Sequence, residues 1–258
     1  MAVMTNNIMR EPAYGSGPGF CYDVDRSLFR SYKDDGPLVV AIDSNIVLDT
    51  MLYGANMINN EPYPPVVDAT YGKQLDAWAL VIDTWMIRDI RLVVLPGMRN
   101  DNRREISDER RAVRERRLLG IESALTFQLN DWSNESRRFM NPQPVDPSVE
   151  ASIRGVLSPL DANLVLQAMQ HQVDVFLTRD NRVVKRMNSL GFTEIPNVMR
   201  PTGLARALEK VGVIGSSNAV DIFSGGHIKH RGCIYADGML MGDSAKWIPL
   251  LEAMNDSA

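Results

Sequence analysis

The chain has 258 residues, of which 45% are hydrophobic and 23% are charged, an ordinary balance for a globular protein. Its net charge of −4 argues against a protein that coats nucleic acid indiscriminately. The two cysteines show no metal-binding spacing, and the chain has no membrane-length apolar run and no leader-like N-terminus, so we expect a cytoplasmic protein without a zinc site.

The first quarter of the chain predicts an arm, a strand, a helix and a loop. Residues 1–36 are rich in glycine, proline and asparagine and have no regular period, which predicts an irregular N-terminal arm. The apolar run 38–42 predicts a buried strand that ends at Asp43. A helix is expected over 46–53, and the prolines and glycine of 54–73 predict a long loop or insertion.

The next segments predict a packed helix and a second strand. Apolar residues at helical spacing over 74–88 predict a helix whose tryptophans and methionines belong to the core. Residues 91–95 predict a short buried strand, and a long charged helix is expected from about 100 to 129. The prolines of 131–148 predict a connecting loop.

The second half alternates helices with strands. Helices are expected over 160–171, 181–190 and 202–211, and strands over 173–178 and 192–195. Gly191 suits a left-handed helix cap. The alternation predicts an α/β fold, a three-layer sandwich with a central, mainly parallel sheet, over residues 37–211. Residues 212–258 are expected to form a C-terminal appendage.

Three aspartates occupy positions where a parallel sheet could gather them. Asp43 and Asp180 follow apolar runs, and Asp161 opens a predicted helix. Carboxylates gathered at the carboxyl ends of strands repel one another unless a cation lies between them, and hard divalent cations prefer oxygen ligands. The pattern predicts a metal-dependent phosphodiesterase. Each aspartate could instead cap the helix that follows it, and for Asp161 taken alone capping is the better interpretation.

Three segments in this order resemble the signatures of PIN-domain nucleases. They are Val39-Val40-Ala41-Ile42-Asp43-Ser44-Asn45, Asp161-Ala162-Asn163-Leu164-Val165-Leu166-Gln167-Ala168 and Asp174-Val175-Phe176-Leu177-Thr178-Arg179-Asp180. In that family one strand ends in Asp, Ser or Thr, and Asn; a later Asp opens a helix with an alanine-rich face; and a last strand ends in Thr, a variable residue and Asp. The resemblance covers about residues 37–211 and implies a PIN-like fold that cleaves RNA with a metal ion.

The resemblance also implies roles for individual residues. Asp43, Asp161 and Asp180 would be catalytic and would bind Mg²⁺ or Mn²⁺, while Asn45 and Thr178 would hydrogen-bond to these carboxylates and orient them.

A fourth acid is expected on the helix after the second strand. Glu105 and Asp101 both qualify, because they are four residues apart and so share one helical face. Glu105 has the usual side chain, whereas Asp101 has the more usual distance from Pro96. Glu105 is the preferred candidate.

The implied reaction is attack of a metal-activated water on a phosphodiester. Arg179 and Arg182 are expected to hold the RNA backbone, together with arginines of residues 99–117. That segment contains eight arginines against five acids, and a solvated helix with i,i+4 ion pairs explains it at least as well.

One departure from the family pattern leaves an alternative open. Many members carry a second acid two residues after the last Asp, where this chain has Arg182. Metal affinity or stoichiometry would therefore be reduced. The alternative is a catalytically weak PIN-like module that binds RNA, a partner protein or a second copy of itself through its extensions.

Overall fold

The computed structural model describes residues 28, 38–59, 61–87, 90–100, 142–192 and 196–210, with a few helical positions between 112 and 124. The elements in chain order are β1 (Leu38–Ile42), α1 (Ser44–Asn59), α2 (Ala69–Ile87), β2 (Ile90–Val94), a 3₁₀ turn (Pro96–Asn100), α3 (Pro147–Val156), α4 (Pro159–Gln170), β3 (Val175–Leu177), α5 (Asn181–Ser189), β4 (Asn197–Met199) and α6 (Pro201–Lys210).

The four strands form one parallel sheet in the order β2-β1-β3-β4. β1 pairs along its whole length with β2 and, through its last three residues, with β3. Parallel neighbours require crossover connections, and helices supply them here. The predicted α/β class and the parallel sheet are therefore confirmed.

Helices cover both faces of the sheet. Leu38, Val40 and Ile42 pack into one core with residues of α1, α2 and α6. Val39 and Ala41 point the other way, as alternate strand residues must, into a second core with α3, α4 and α5. This double burial explains why β1 reads as an uninterrupted apolar run and gives three layers, helix, sheet and helix.

The tryptophans of α2 belong to the first core, as predicted. Trp78 and Trp85 are each 1% exposed. The indole Nε1 of Trp78 donates to Thr50 Oγ1 at 2.8 Å, and the Thr50 hydroxyl donates to the carbonyl of Ile46 at 2.9 Å. The polar atom of a large apolar side chain is thereby satisfied inside the core.

Asp174 ties three strands together at their amino ends. This fully buried residue precedes β3, and its Oδ2 accepts from the amide of Val39 at 2.9 Å. Its own amide donates to the carbonyl of Val39 at 3.0 Å, and its carbonyl accepts from the amide of Asn197 at 2.9 Å. These bonds fix the register of β1, β3 and β4 upstream of the site.

The prediction of a loop over 54–73 is wrong at both ends. α1 continues to Asn59 and α2 begins at Ala69, so the irregular chain between them is short. Asp68 starts α2, because its Oδ1 accepts from the amides of Thr70 and Tyr71, each at 2.8 Å. A glycine or asparagine inside a helix costs at most about 1 kcal/mol, which packing against the core overrides.

Helix α3 begins at Pro147, within the segment 131–148 whose prolines predict a loop. Pro147 occupies the first turn, where a missing amide costs nothing, and Asp146 caps the helix through a 2.8 Å bond from the amide of Ser148. A strand, β4, is Asn197–Met199, while residues 193–195 of the strand predicted over 192–195 lie outside the described residues. Gly191, by contrast, has the expected left-handed conformation, with φ of 68°.

A close contact joins the turn after β2 to α4. The amide of Gly97 donates to Gln167 Oε1 at 2.9 Å. A Cβ on residue 97 would lie 2.9 Å from Gln167 Nε2, so any residue other than glycine would displace this amide. This hydrogen bond connects the turn to the helix that carries Asp161.

The extensions are mostly outside the described residues. Of the predicted arm 1–36, Leu28 is described; its side chain is buried in the first core, and its carbonyl accepts from Asn197 Nδ2 at 3.3 Å. The predicted appendage 212–258 and most of the predicted helix 100–129 lie outside, although residues 119–124 are helical. Within the described ranges, every helix is too short or too polar to cross a bilayer.

Candidate functional site

Asp43 lies at the carboxyl end of the central strand. Its amide donates to the carbonyl of Leu177 in β3 at 2.9 Å, and its own carbonyl accepts from the amide of Ile46 at 2.9 Å. The residue thus lies between the last residue of β1 and the first residue of α1. Its side chain is only 7% exposed.

The Asp43 carboxylate accepts hydrogen bonds on both oxygens. Oδ1 accepts from the amide of Ser44 at 2.7 Å and from its hydroxyl at 3.3 Å. Oδ2 accepts from Asn45 Nδ2 and, at 2.6 Å, from the hydroxyl of Thr178. Both residues expected to orient the carboxylates therefore contact this one.

Thr178 links the ends of β1 and β3. Its fully buried hydroxyl donates to Asp43 and accepts from Asn45 Nδ2 and from the amide of Asp180, both at 3.1 Å. The amide of Arg179 in turn donates to Asn45 Oδ1 at 2.9 Å. One hydroxyl and one amide side chain thus fix the segment that carries Asp180 to the segment that carries Asp43.

Asp161 lies in the first turn of α4, where it forms a reciprocal pair with Ser158. The Ser158 hydroxyl accepts from the amide of Asp161 at 3.3 Å and donates to its Oδ2 at 2.6 Å. The capping residue is therefore Ser158, and the interpretation of Asp161 as the cap is wrong. Asp161 occupies the third helical position, as the acid of a capping box does.

Asp180 caps α5, as the capping interpretation predicts. Its Oδ1 accepts from the amide of Arg182 at 2.7 Å, and its Oδ2 lies 3.4 Å from the Arg182 guanidinium. Partial burial acts to raise the pKa of Asp180, but the hydrogen bonds and the positive charge of Arg182 outweigh it and hold the pKa below 3.8. Arg182 therefore neutralises part of the charge expected to bind a cation.

The pKa of Asp43 is shifted in the opposite direction. Removal of the carboxylate from water raises this pKa above 3.8, and the negative charge of Asp161 raises it further. The hydrogen bonds from Thr178 and Ser44 act to lower it. Asp161 is thus close enough to Asp43 for the two charges to repel each other.

Asp161 and Asp180 face a common cavity of about 510 Å³. Its other lining residues are Leu157, Ser158, Pro159, Leu160, Arg182, Val183 and Arg186. The volume lies within the usual range for small-ligand sites. Two carboxylates and two arginines around one cavity suit a ligand that combines a phosphate group with a cation.

The donor chemistry of the three aspartates fits a hard divalent cation, because all the available ligands are carboxylate oxygens. Their arrangement is not a preformed metal site: among the described residues, no three acidic, histidine or cysteine side chains are close enough to hold an ion. Asp161 accepts a hydrogen bond from Ser158, and Asp180 pairs with Arg182. Asp101 and Glu105 lie outside the described residues.

A second buried carboxylate, Asp49, is not among the predicted site residues. This residue of α1 is 4% exposed, accepts from the Tyr71 hydroxyl and lies 3.5 Å from Arg179 Nε. Burial raises the pKa of Asp49 to about 6, although Tyr71 and Arg179 act to lower it. A charged residue four positions after Asn45, within the apolar first half of α1, was the available signal.

Arg179 was expected to hold the RNA backbone, but its guanidinium contacts Asp49 and the Tyr71 ring. Besides its ion pair with Asp49, its guanidinium carbon lies 4.0 Å from the centroid of the Tyr71 ring. Arg182 remains largely exposed, with 84% of its side chain accessible beside Asp180. The two arginines therefore have different surroundings.

Comparisons with known proteins give no relative for this chain: no family model, no curated protein and no solved structure matches it.

Replacement of Thr178 by valine, which has nearly the same shape, should lower the free energy of unfolding by about 2 kcal/mol, because buried hydrogen-bonding groups lose their partner. Urea denaturation would measure the change. Thr178→Ser keeps the hydroxyl and should retain most of the stability. An unchanged free energy of unfolding in Thr178→Val would show that these hydrogen bonds do not stabilise the fold.

Replacement of Asp49 by asparagine should change how stability depends on pH. The raised pKa means that the folded state binds the Asp49 proton more tightly, so this carboxyl lowers wild-type stability as pH rises from about 4 to 6. The free energy of unfolding of Asp49→Asn should therefore rise relative to that of the wild type over this window, by up to about 3 kcal/mol.

Denaturation at a series of pH values would test this expectation. Asp146→Asn is the matched control, because hydrogen bonds from Ser148 lower the pKa of Asp146 in the folded state. Ionised Asp146 stabilises the folded state, so the stability of the control should fall relative to that of the wild type as pH rises through the unfolded pKa. A pH-independent difference between Asp49→Asn and wild type would contradict the raised pKa.

Proposed function

We propose that this protein is a metal-dependent endoribonuclease with a PIN-like fold, which hydrolyses phosphodiester bonds of RNA with Mg²⁺ or Mn²⁺. The observation that carries the proposal is that Asp161 and Asp180 line one cavity at the carboxyl edge of a parallel sheet, where Thr178 links Asp180 to the Asp43 carboxylate. Ligands of open α/β sheets bind at this edge, and repelling carboxylates favour a cation.

In the proposed site, Asp43, Asp161 and Asp180 would hold the ion together with Glu105 or Asp101. A bound divalent ion makes water more acidic and neutralises charge on phosphate oxygens. Thr178 and Asn45 keep the Asp43 carboxylate in one orientation, and their hydrogen bonds favour its ionised form.

The cavity beside Asp161 and Asp180 would receive the phosphodiester. Arg182 is exposed there, and Arg186, which also lines the cavity, donates to the carbonyl of Val156 at 2.8 Å. Guanidinium groups bind phosphate oxygens well because their donors match the spacing of the oxygens. These two arginines, and not Arg179, are the side chains proposed to contact the RNA backbone.

A specific contact favours a second candidate function, a catalytically weak module that binds RNA or protein. Arg182 is paired with Asp180 at the position where many PIN nucleases carry another acid. A metal ligand that is partly neutralised by an arginine binds a cation less tightly. The two candidates therefore differ in whether the aspartates bind metal.

The first test is cleavage of a generic single-stranded RNA with Mn²⁺, together with thermal unfolding in the same buffer. Wild type should cleave, and Mn²⁺ should raise its melting temperature. Asp43→Asn should cleave more than about 100-fold more slowly than the wild type, and Mn²⁺ should no longer stabilise it. Loss of a residue that only hydrogen-bonds to a metal ligand typically costs about 10- to 100-fold, so a larger loss indicates that Asp43 itself binds the metal.

Asp146→Asn is the control, because it alters an exposed helix cap on α3. It should cleave like the wild type. Equal cleavage by Asp43→Asn would point to a contaminating nuclease. No cleavage and no stabilisation by Mn²⁺ in the wild type would contradict the nuclease proposal and favour the binding module.

Replacement of Arg182 by glutamine distinguishes the candidates further. Removal of a positive charge 3.4 Å from Asp180 should lower the Mn²⁺ concentration needed for half-maximal stabilisation about fivefold, which corresponds to about 1 kcal/mol for an exposed pair. Arg154→Gln, which alters an exposed arginine paired with Glu150, should leave it unchanged. An unchanged value in Arg182→Gln would argue that Asp180 does not bind metal.

A further inference from the structure

The Arg179 side chain is held in one orientation immediately beside the candidate site. Its backbone lies between Thr178 and Asp180, and its amide donates to Asn45 Oδ1 at 2.9 Å. Its guanidinium lies 4.0 Å from the centroid of the Tyr71 ring, and its Nε is 3.5 Å from Asp49 Oδ2. About a third of the side chain, 32%, remains exposed.

Tyr71 belongs to a group of three tyrosines that meet edge to face. Its ring meets that of Tyr53 edge to face at 5.7 Å, and Tyr53 meets Tyr63 in the same way at 6.2 Å. The hydroxyl of Tyr63 donates to Asp76 at 3.0 Å, and that of Tyr71 donates to Asp49. These three tyrosines, the tyrosine cluster, join α1 and α2 through the segment between them.

The surroundings of Arg179 differ from those of a phosphate-binding arginine. Each arginine pairs with an aspartate, but the Arg179 side chain is 32% exposed and that of Arg182 is 84% exposed, so less of Arg179 is open to a phosphate. What Arg179 offers to a ligand is a guanidinium placed over the Tyr71 ring, on a side chain that is about one third exposed. A guanidinium plane backed by an aromatic ring is a surface on which nucleic-acid bases stack.

We propose that Arg179, backed by Tyr71 and oriented by Asp49, is a stacking platform for one base of a single-stranded RNA. The inference rests on the proposed function and deepens it: the base would belong to a nucleotide near the cleaved phosphodiester, because Arg179 directly precedes Asp180. Stacking tolerates any base, so the platform selects unpaired RNA and not a particular sequence.

The proposal is tested by binding of a short single-stranded RNA that contains 2-aminopurine, measured by fluorescence in EDTA so that no cleavage occurs. Wild type should quench the probe on binding. Arg179→Lys keeps the charge and loses the plane, so it should bind about tenfold more weakly, within the range for loss of one base stack, and with less quenching. Because the charge is kept, the dependence of binding on salt should not change.

Two controls identify the cause of the loss. Arg154→Lys makes the same change at an exposed arginine paired with Glu150, and it should bind like the wild type. An RNA with abasic positions offers phosphates without bases, so the wild type should bind it about as weakly as Arg179→Lys binds the intact RNA. This second control needs no variant and stands even if Arg179→Lys does not fold.

Four outcomes would overturn the platform. They are full binding by Arg179→Lys, full binding of abasic RNA by the wild type, equal losses in Arg179→Lys and Arg154→Lys, and no RNA binding at all. Base-dependent binding in EDTA without any cleavage in Mn²⁺ would instead support the platform and contradict only the proposed nuclease activity.

Discussion

The central strand β1 has a neighbour on each side and helices over both of its faces, and the rest of the architecture follows from this constraint. All five of its residues are at most 1% exposed. A strand in this position can have polar side chains only beyond its ends, where Asp174 meets it on one side and Asp43 follows it on the other. The same burial that stabilises the sheet therefore concentrates polar chemistry at its two edges.

Burial of carboxyl groups at the candidate site lowers the free energy of unfolding, and the remainder of the fold must offset this loss. Asp43 and Asp49 are carboxyl groups removed from water, and burial raises the pKa of each. Their hydrogen-bond partners reduce this cost without cancelling it, which is common where local stability is given up for function. The two groups differ in their partners: Asp43 has hydroxyl and amide donors, whereas Asp49 accepts from the Tyr71 hydroxyl and also pairs with the Arg179 guanidinium.

Much of the fold could be predicted from the sequence, because buried parallel strands and packed helices have strong apolar patterns. β1, the tryptophan face of α2 and the Gly191 cap are examples. The starts of helices were harder to predict. Glycine and proline suggested loops, but Asp68 and Asp146 accept hydrogen bonds from amides in the first turns of α2 and α3. At the site, the contacts of Asn45 and Thr178 with Asp43 match the expected roles. The Asp49–Tyr71–Arg179 contacts join residues far apart in sequence, and a single sequence carries no signal for such a juxtaposition.

The contact between Gly97 and Gln167 joins two segments that are distant in sequence, the turn after β2 and helix α4. The turn after β2 leads toward the arginine-rich residues 99–117, and Gln167 lies on the helix whose first turn carries Asp161. A shift of α4 would therefore reach the turn after β2 through the hydrogen bond from the Gly97 amide to the Gln167 side chain. Because a side chain at residue 97 would displace the Gln167 amide, mutation at either position should be tolerated best when the other changes with it.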